Sequence, residues 1–216
     1  MPDLHPSLLR VLKILNTEKH LTLSQITRVM YPDEFVSPPA LWTSLAYQRV
    51  SKNLQSLQNL KVVASRTYKF NEDKFWFLVK HPILSELGYT APRLHPDKWR
   101  FEHERYCADL FSVLAASGYL TEDNWFEHRK LPNGFIPDRG AMFEEMYYFE
   151  VQLNNMKEVT GKLENYYNHY RSTKESFNVI FLVPEKHLAQ VHSLLPDNPR
   201  YQVAEISTFL LSPFAE

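Results

Sequence analysis

The sequence predicts a protein of the α+β or α/β class that is built from two folded parts. Three observations support this prediction. The first third orders three helical patterns before two strand-like runs, the remainder alternates helices with strands, and a proline-containing segment separates them. The chain has 216 residues, of which 44% are hydrophobic and 23% charged, so it can form a packed core. We expect domains at residues 1–81 and 98–216, joined by a linker at 82–97.

Composition excludes several classes of protein. No stretch approaches the roughly 18 apolar residues of a membrane span, and the polar N-terminus is not a secretory signal. The single cysteine, Cys107, cannot form an internal disulfide or a cysteine zinc site. The nine histidines lack metal-ligand spacing, and the five glycines form no phosphate-binding loop. We expect a cytoplasmic protein.

The first third has the order of a winged helix-turn-helix domain. Apolar residues recur at helical spacing in segments 8–15, 26–30 and 40–60, and Thr22 or Ser24 can cap the second helix. Two strand-like runs follow, 61–70 and 74–79, and the turn residues between them predict a hairpin. In this domain class the third helix enters the major groove of DNA.

Charge favours DNA as the ligand of this domain. Residues 1–80 carry eleven Lys or Arg against six Asp or Glu, and no acidic residue lies between Glu34 and Glu72. Five side chains of the third helix and hairpin can donate to phosphates or base edges: Ser44, Gln48, Arg49, Lys52 and Arg66. The alternatives are a basic face that is merely solvated and a winged-helix module that binds protein.

The second domain begins with a predicted helix at 98–117, which Gly118 ends. The predicted strands are 125–130, 135–137, 146–153, 178–183 and 201–210, and the predicted helices between them are 156–171 and 185–195. The run 146–153 is the strongest strand, because it is rich in aromatic and β-branched residues.

A pair of carboxylates is the main candidate for chemistry. Asp138 follows a proline, and Glu150 lies twelve residues later inside the strongest strand, where alternation puts Tyr148, Glu150 and Gln152 on one face. A carboxylate is costly to bury without a partner, and a divalent cation shared with Asp138 would compensate.

Plainer interpretations of these residues stay open. Asp138 is also a good turn residue, and Glu150 could pair with Arg129 or Arg139. Gln152 could be an ordinary polar residue of a partly exposed face.

The pattern Pro-Asp138 to Glu150-x-Gln152 and the order of elements resemble the PD-(D/E)XK restriction-endonuclease-like superfamily. Gln152 stands where that superfamily usually has lysine, and some members carry the lysine on the next helix. Lys162 matches this position and shares a helical face with Tyr166 and His169. The resemblance implies catalytic roles for Asp138, Glu150, Gln152, Lys162 and Glu104, with Mg²⁺ or Mn²⁺ held by Asp138, Glu150 and Glu104.

The wider layout places a winged-helix N-terminus before His103-Glu104 and Asp109, then the run Phe149-Glu150-Val151-Gln152, then Lys162-Leu163, Tyr166 and Tyr170. This layout resembles the MOBC class of conjugative relaxases and the broader replication-relaxation proteins. The resemblance implies a plasmid mobilisation protein that binds an origin of transfer and nicks one DNA strand with a divalent metal. Its partners would be accessory mobilisation proteins and a coupling protein. Whether a tyrosine becomes linked to DNA stays open. The alternatives are a catalytically inactive DNA-binding regulator or replication accessory protein, and a different nuclease on the same core.

Overall fold

The computed structural model of the protein describes residues 4–34, 40–67, 74–92, 98–127 and 129–214. The chain forms two compact units, Met1–Gly118 and Tyr119–Glu216. Each unit combines helices with a sheet of its own, which confirms the α+β class. No helix in the described segments has both the length and the apolar character needed to cross a membrane.

The first unit consists mainly of helices. Its α-helices are α1 (Pro6–Thr17), α2 (Leu23–Met30), α3 (Leu45–Asn59), α4 (Pro82–Glu86) and α5 (Lys98–Ala116), and 3-10 turns span Pro32–Glu34 and Ala40–Thr43. Its strands are β1 (Leu21–Thr22), β2 (Val63–Thr67) and β3 (Lys74–Leu78), which form an antiparallel sheet in the order β1-β3-β2.

The second unit is an α/β arrangement around one mixed sheet. Its strands are β4 (Trp125–Glu127), β5 (Arg139–Met142), β6 (Met146–Val151), β7 (Phe177–Val183) and β8 (Tyr201–Glu205). Its helices are α6 (Lys157–Thr173), α7 (Glu185–His192) and α8 (Ile206–Leu211). The strands lie in sequence order, antiparallel from β4 to β6 and parallel from β6 to β8.

The first unit contains the three predicted helices and the two predicted strand-like runs. Thr22 caps α2 and forms a reciprocal capping box with Gln25. The two-residue strand β1 was not predicted, because so short a run has no periodicity to recognise; Leu21 pairs with Trp76 of β3. The predicted turn at 71–73 lies outside the described residues.

Helix α5 belongs to the first unit, whereas the sequence prediction assigned it to the second. The Gln25 amide donates a 2.7 Å hydrogen bond to Asp109 of α5, and Phe101 packs edge-on against Phe75 at 4.7 Å. The units therefore divide after Gly118, and the predicted linker at 82–97 contains helix α4. The apolar face of α5 shows in the sequence that the helix is partly buried, but it does not show which of the two units the helix packs against.

The core of the second unit lies between the sheet and α6. Its buried members include Tyr148, Val159, Tyr166, Phe177 and Phe181. Alternation along β6 turns the neighbouring side chains to the opposite face, where Phe149 contacts Phe209 of α8 at 6.3 Å between ring centroids. Both faces of the central strands are covered by helices, as the continuous apolar run of β7 predicts.

Three predicted strands of the second unit are wrong in extent. The predicted strand 125–130 is described only over Trp125–Glu127, and residue 128 lies outside the described residues. The segment 135–137 is irregular and the strand begins at Arg139, because Pro137 has no N–H to donate to a neighbouring strand. The predicted strand 201–210 ends at Glu205, whose carboxylate accepts a 2.6 Å hydrogen bond from the Thr208 N–H and so begins α8.

The capping box of α2 gives a stability prediction for the first unit. We expect Thr22→Ala to lower the free energy of unfolding by about 1 kcal/mol, because the Gln25 N–H loses its acceptor. Urea denaturation measures the change. Ser56→Ala, an exposed substitution on α3, is the control, and an equal loss in both variants would contradict a specific capping effect.

Candidate functional site

Sheet register brings Asp138 and Glu150 together. The last antiparallel pair of β5 and β6 is Arg139 with Phe149, so Asp138 lies beside Glu150, one residue beyond that pair. Side chains directly opposite in such a pair point to the same face of the sheet. The Val151 N–H donates a 3.0 Å hydrogen bond to Asp138 Oδ2, which holds the aspartate against β6.

The Lys162 ammonium lies between the two carboxylates. Lys162 Nζ donates to Glu150 Oε2 at 2.5 Å and to Asp138 Oδ2 at 3.0 Å. The Glu150 side chain is fully buried, whereas those of Asp138 and Lys162 retain 19% and 16% of their exposure. The cluster is therefore shielded from solvent at Glu150 and partly exposed to solvent at Asp138.

Tyr166 completes the surroundings of Glu150. Its hydroxyl donates to Glu150 Oε1, and its fully buried ring packs against Phe135 and Tyr148, with centroids 5.2 and 5.4 Å away. The sequence analysis placed Tyr166 on the helical face of Lys162, but it did not predict the hydrogen bond to Glu150. Its spacing of four residues after Lys162 was the signal available, since such residues share a helical face.

The buried cluster shifts the protonation of its members. Burial and the neighbouring Asp138 raise the pKa of Glu150 to about 8, although Lys162 and Tyr166 act in the opposite direction. Burial lowers the pKa of Lys162, but Glu150 and Asp138 raise it by more, so the lysine stays charged at neutral pH. Burial and Glu150 raise the pKa of Tyr166, which keeps its proton as a donor.

The Gln152 side chain holds the loop that leads from β6 to α6 by hydrogen bonds. Its side-chain amide donates to the carbonyl oxygens of Asn154 and Asn155, and its backbone N–H donates to Leu182 at 2.9 Å. The side chain is buried at the end of β6. The resemblance implied a catalytic role for Gln152, whereas in the structure its amide N–H groups donate to backbone carbonyls.

The plainer interpretation expected Glu150 to pair with Arg129 or Arg139, but its ion pair is with Lys162. The buried Arg139 guanidinium instead lies 3.9 Å from Glu127 and donates to the Asp138 carbonyl at 2.6 Å. Arg129 stacks over the ring of Phe126 at 5.2 Å. Asp138 is also more than a turn residue, because its carboxylate accepts from Lys162.

Glu104 lies on α5 and belongs to the first unit. Its carboxylate is 3.9 Å from His103 Nδ1, and one of its oxygens lies within 4.8 Å of an oxygen of the buried Glu18. The predicted contribution of Glu104 to a metal site in the second unit stays a prediction.

The donor set at Asp138 and Glu150 fits a divalent cation. Carboxylate oxygens are the ligands that Mg²⁺ and Mn²⁺ prefer, and the pair already shares one cationic group, the Lys162 ammonium. Partial exposure of Asp138 leaves one side of the cluster accessible from solvent.

Helix α3 presents most of the predicted DNA-binding residues. Gln48, Arg49 and Lys52 are exposed on α3, and Arg66 is exposed on β2. Arg49 pairs with Glu34 at 3.4 Å, an exposed ion pair of small energy that a phosphate can replace. Ser44 is the N-cap of α3 and accepts from the Tyr47 N–H, so its side chain also has a structural role.

No family model, curated protein or solved structure matches this chain. Function must therefore be inferred from the residues themselves and from the geometry that brings them together.

The lysine bridge gives a pH-dependent stability prediction. We expect Lys162→Met to lower the free energy of unfolding by about 3 kcal/mol at pH 8, because Glu150 would lose its cation and would have to be buried as an uncompensated charge or take up a proton. The loss should be smaller at pH 5. Since the folded pKa of Glu150, about 8, exceeds the unfolded value of 4.5, protonation stabilises the fold at low pH, and this contribution is lost as pH rises through 8.

Urea denaturation at both pH values measures this difference, with the exposed Lys157→Met on the same helix as the control. Adding Glu150→Gln to Lys162→Met should recover much of the stability lost at pH 8. An equal loss for Lys162→Met at pH 5 and pH 8 would contradict the buried-charge explanation.

Proposed function

We propose that this protein is a plasmid mobilisation relaxase that binds an origin of transfer and nicks one DNA strand with Mg²⁺ or Mn²⁺. The observation that carries the proposal is the cluster of Asp138, Glu150 and Lys162, in which two carboxylates and an ammonium meet within hydrogen-bond distance. This set of groups suits phosphodiester cleavage, because it combines a place for a metal with a permanent cation beside it.

Each side chain has a role in the proposed reaction. Asp138 and Glu150 would hold the metal, which when bound polarises the scissile phosphate and lowers the pKa of a water nucleophile. Lys162 stabilises the negative charge that develops on the phosphate. Tyr166 is a positioning residue, since its hydroxyl fixes the orientation of Glu150.

The proposed DNA-binding part is the winged helix-turn-helix of the first unit. Support comes from the exposed polar face of α3, from the antiparallel strands β2 and β3, and from the absence of acidic residues between Glu34 and Glu72 in the sequence. The proposed protein partners, accessory mobilisation proteins and a coupling protein, rest on the resemblance to conjugative relaxases.

A second candidate function is that of a catalytically inactive, nuclease-like DNA-binding regulator or replication accessory protein. The favouring observation is that Lys162 already satisfies both carboxylates, while Gln152 stands in the usual lysine position and donates to the loop. In such a protein the cluster would stabilise the second unit without performing chemistry.

A plasmid-nicking assay separates the two candidates. With supercoiled DNA that carries candidate transfer origins, we expect Mg²⁺- or Mn²⁺-dependent conversion to open circles, and none with chelator. Asp138→Asn and Glu150→Gln should each lower the rate at least about a hundredfold, because a metal contributes several kcal/mol to such a transition state. Lys157→Met, an exposed change on α6, should keep the wild-type rate.

Full nicking activity in both carboxylate variants would show that the catalytic assignment is wrong. Tight DNA binding without nicking in any metal would instead favour the inactive regulator.

Salt dependence tests the DNA-binding surface. The double variant Arg49→Ala/Lys52→Ala should weaken binding to all sequences and reduce the slope of log affinity against log salt by about 2, one unit for each lost phosphate contact. Fluorescence anisotropy across a salt series measures the slope. Lys186→Ala, an exposed change on α7, is the matched control, and an unchanged slope in the double variant would exclude α3 as the contact surface.

A further inference from the structure

A small aromatic cleft lies in the first unit between the start of α2, the exposed face of α3 and strand β3. Its volume is about 260 Å³. Three aromatic side chains and three polar ones form its main lining: Trp42, Tyr47, Trp76, Ser51, Gln55 and Lys74. None of the described residues that line it is acidic.

The aromatic side chains of the cleft offer a face for stacking. Trp42 stands at the surface with 58% of its area exposed, which is unusual for so large an apolar side chain. Trp76 is almost buried, and the Lys74 ammonium lies 4.8 Å from the centre of its ring. A cleft that combines an exposed aromatic ring with a cation is the arrangement with which proteins bind unstacked bases next to their phosphates.

The polar side chains of the cleft lie along α3. Ser51 and Gln55 are four residues apart and so share a helical face, which continues toward the exposed Lys52. A Gln amide has both donors and an acceptor, so it can bond the edge of a base. Among the described residues, the Gln55 amide donates only to the exposed Asn59 side chain, at 3.2 Å, an intrahelical bond that a ligand can replace.

We infer that this cleft holds one unpaired nucleobase of the bound DNA. The inference rests on the proposed DNA binding and adds a substrate class to it. The faces of a paired base are hidden by its neighbours in the duplex, so only an unpaired or extruded base can enter. Trp42 stacks on the base, Gln55 bonds its edge, and Lys74 contacts the adjoining phosphate. Binding therefore favours DNA with an unpaired nucleotide, since extrusion costs least there.

Anisotropy titrations of the full chain with two labelled DNAs test the inference. One is a fully paired duplex, and the other has the same sequence with a single bulged adenine. The wild type should bind the bulged duplex at least about fivefold more tightly, the lower limit expected for one stacked base. Trp42→Ala should abolish this preference and change affinity for the paired duplex less than about twofold, since Trp42 lies at the surface.

Leu45→Ala is the matched control, because Leu45 is 65% exposed at the start of α3 but does not line the cleft; it should keep the preference. Gln55→Ala should reduce it. Equal wild-type affinity for the two DNAs would overturn the inference and leave the proposed DNA binding intact. No binding to either DNA would overturn both. A preference that survives Trp42→Ala and Gln55→Ala would also overturn the inference, because it would arise elsewhere.

Discussion

The arrangement of the second unit depends on one interaction, the bridge that the Lys162 ammonium makes between Asp138 and Glu150. A carboxylate in the middle of a central strand is too costly to bury alone. Lys162 and Tyr166, both on α6, supply donors to its two oxygens. Helix α6 must therefore pack over β6 with one rotation about its own axis and one position along the strand. Lys162 can contact the third member, Asp138, only if β5 pairs with β6 in the observed register.

This bridge has two consequences. It offsets part of the cost of burying Glu150, and it places a cation where a metal-dependent nuclease would need one. Burial and Asp138 still raise the pKa of Glu150 to about 8, so a divalent ion that bound here would displace a proton from Glu150. A divalent ion would replace part of the charge that Lys162 supplies, and the lysine would then be available to a phosphate.

Sequence reasoning could predict those parts of the molecule that have a local signal. Helix caps, strand periodicity and the inward face of α6 follow from short-range rules. The position of Lys162 beside Asp138 and Glu150 was predicted from the resemblance to restriction-endonuclease-like proteins. Parts that depend on contacts between residues far apart in the sequence were not predicted. The unit covered by α5 depends on contacts such as Gln25 with Asp109, and the strand β1 exists only because β3 offers an edge. The Tyr166 hydroxyl was missed because a buried tyrosine gives no sign of its hydrogen-bond acceptor.

Asp138 and Glu150 are proposed to form one metal site. The most direct test is Mn²⁺ binding by the full-length protein, followed by electron paramagnetic resonance of the free ion, in the wild type and in Glu150→Gln. We predict saturable binding near one ion per chain in the wild type and its loss in the variant. Equal Mn²⁺ binding by both proteins, or wild-type binding no stronger than that of scattered surface carboxylates, would contradict the claim.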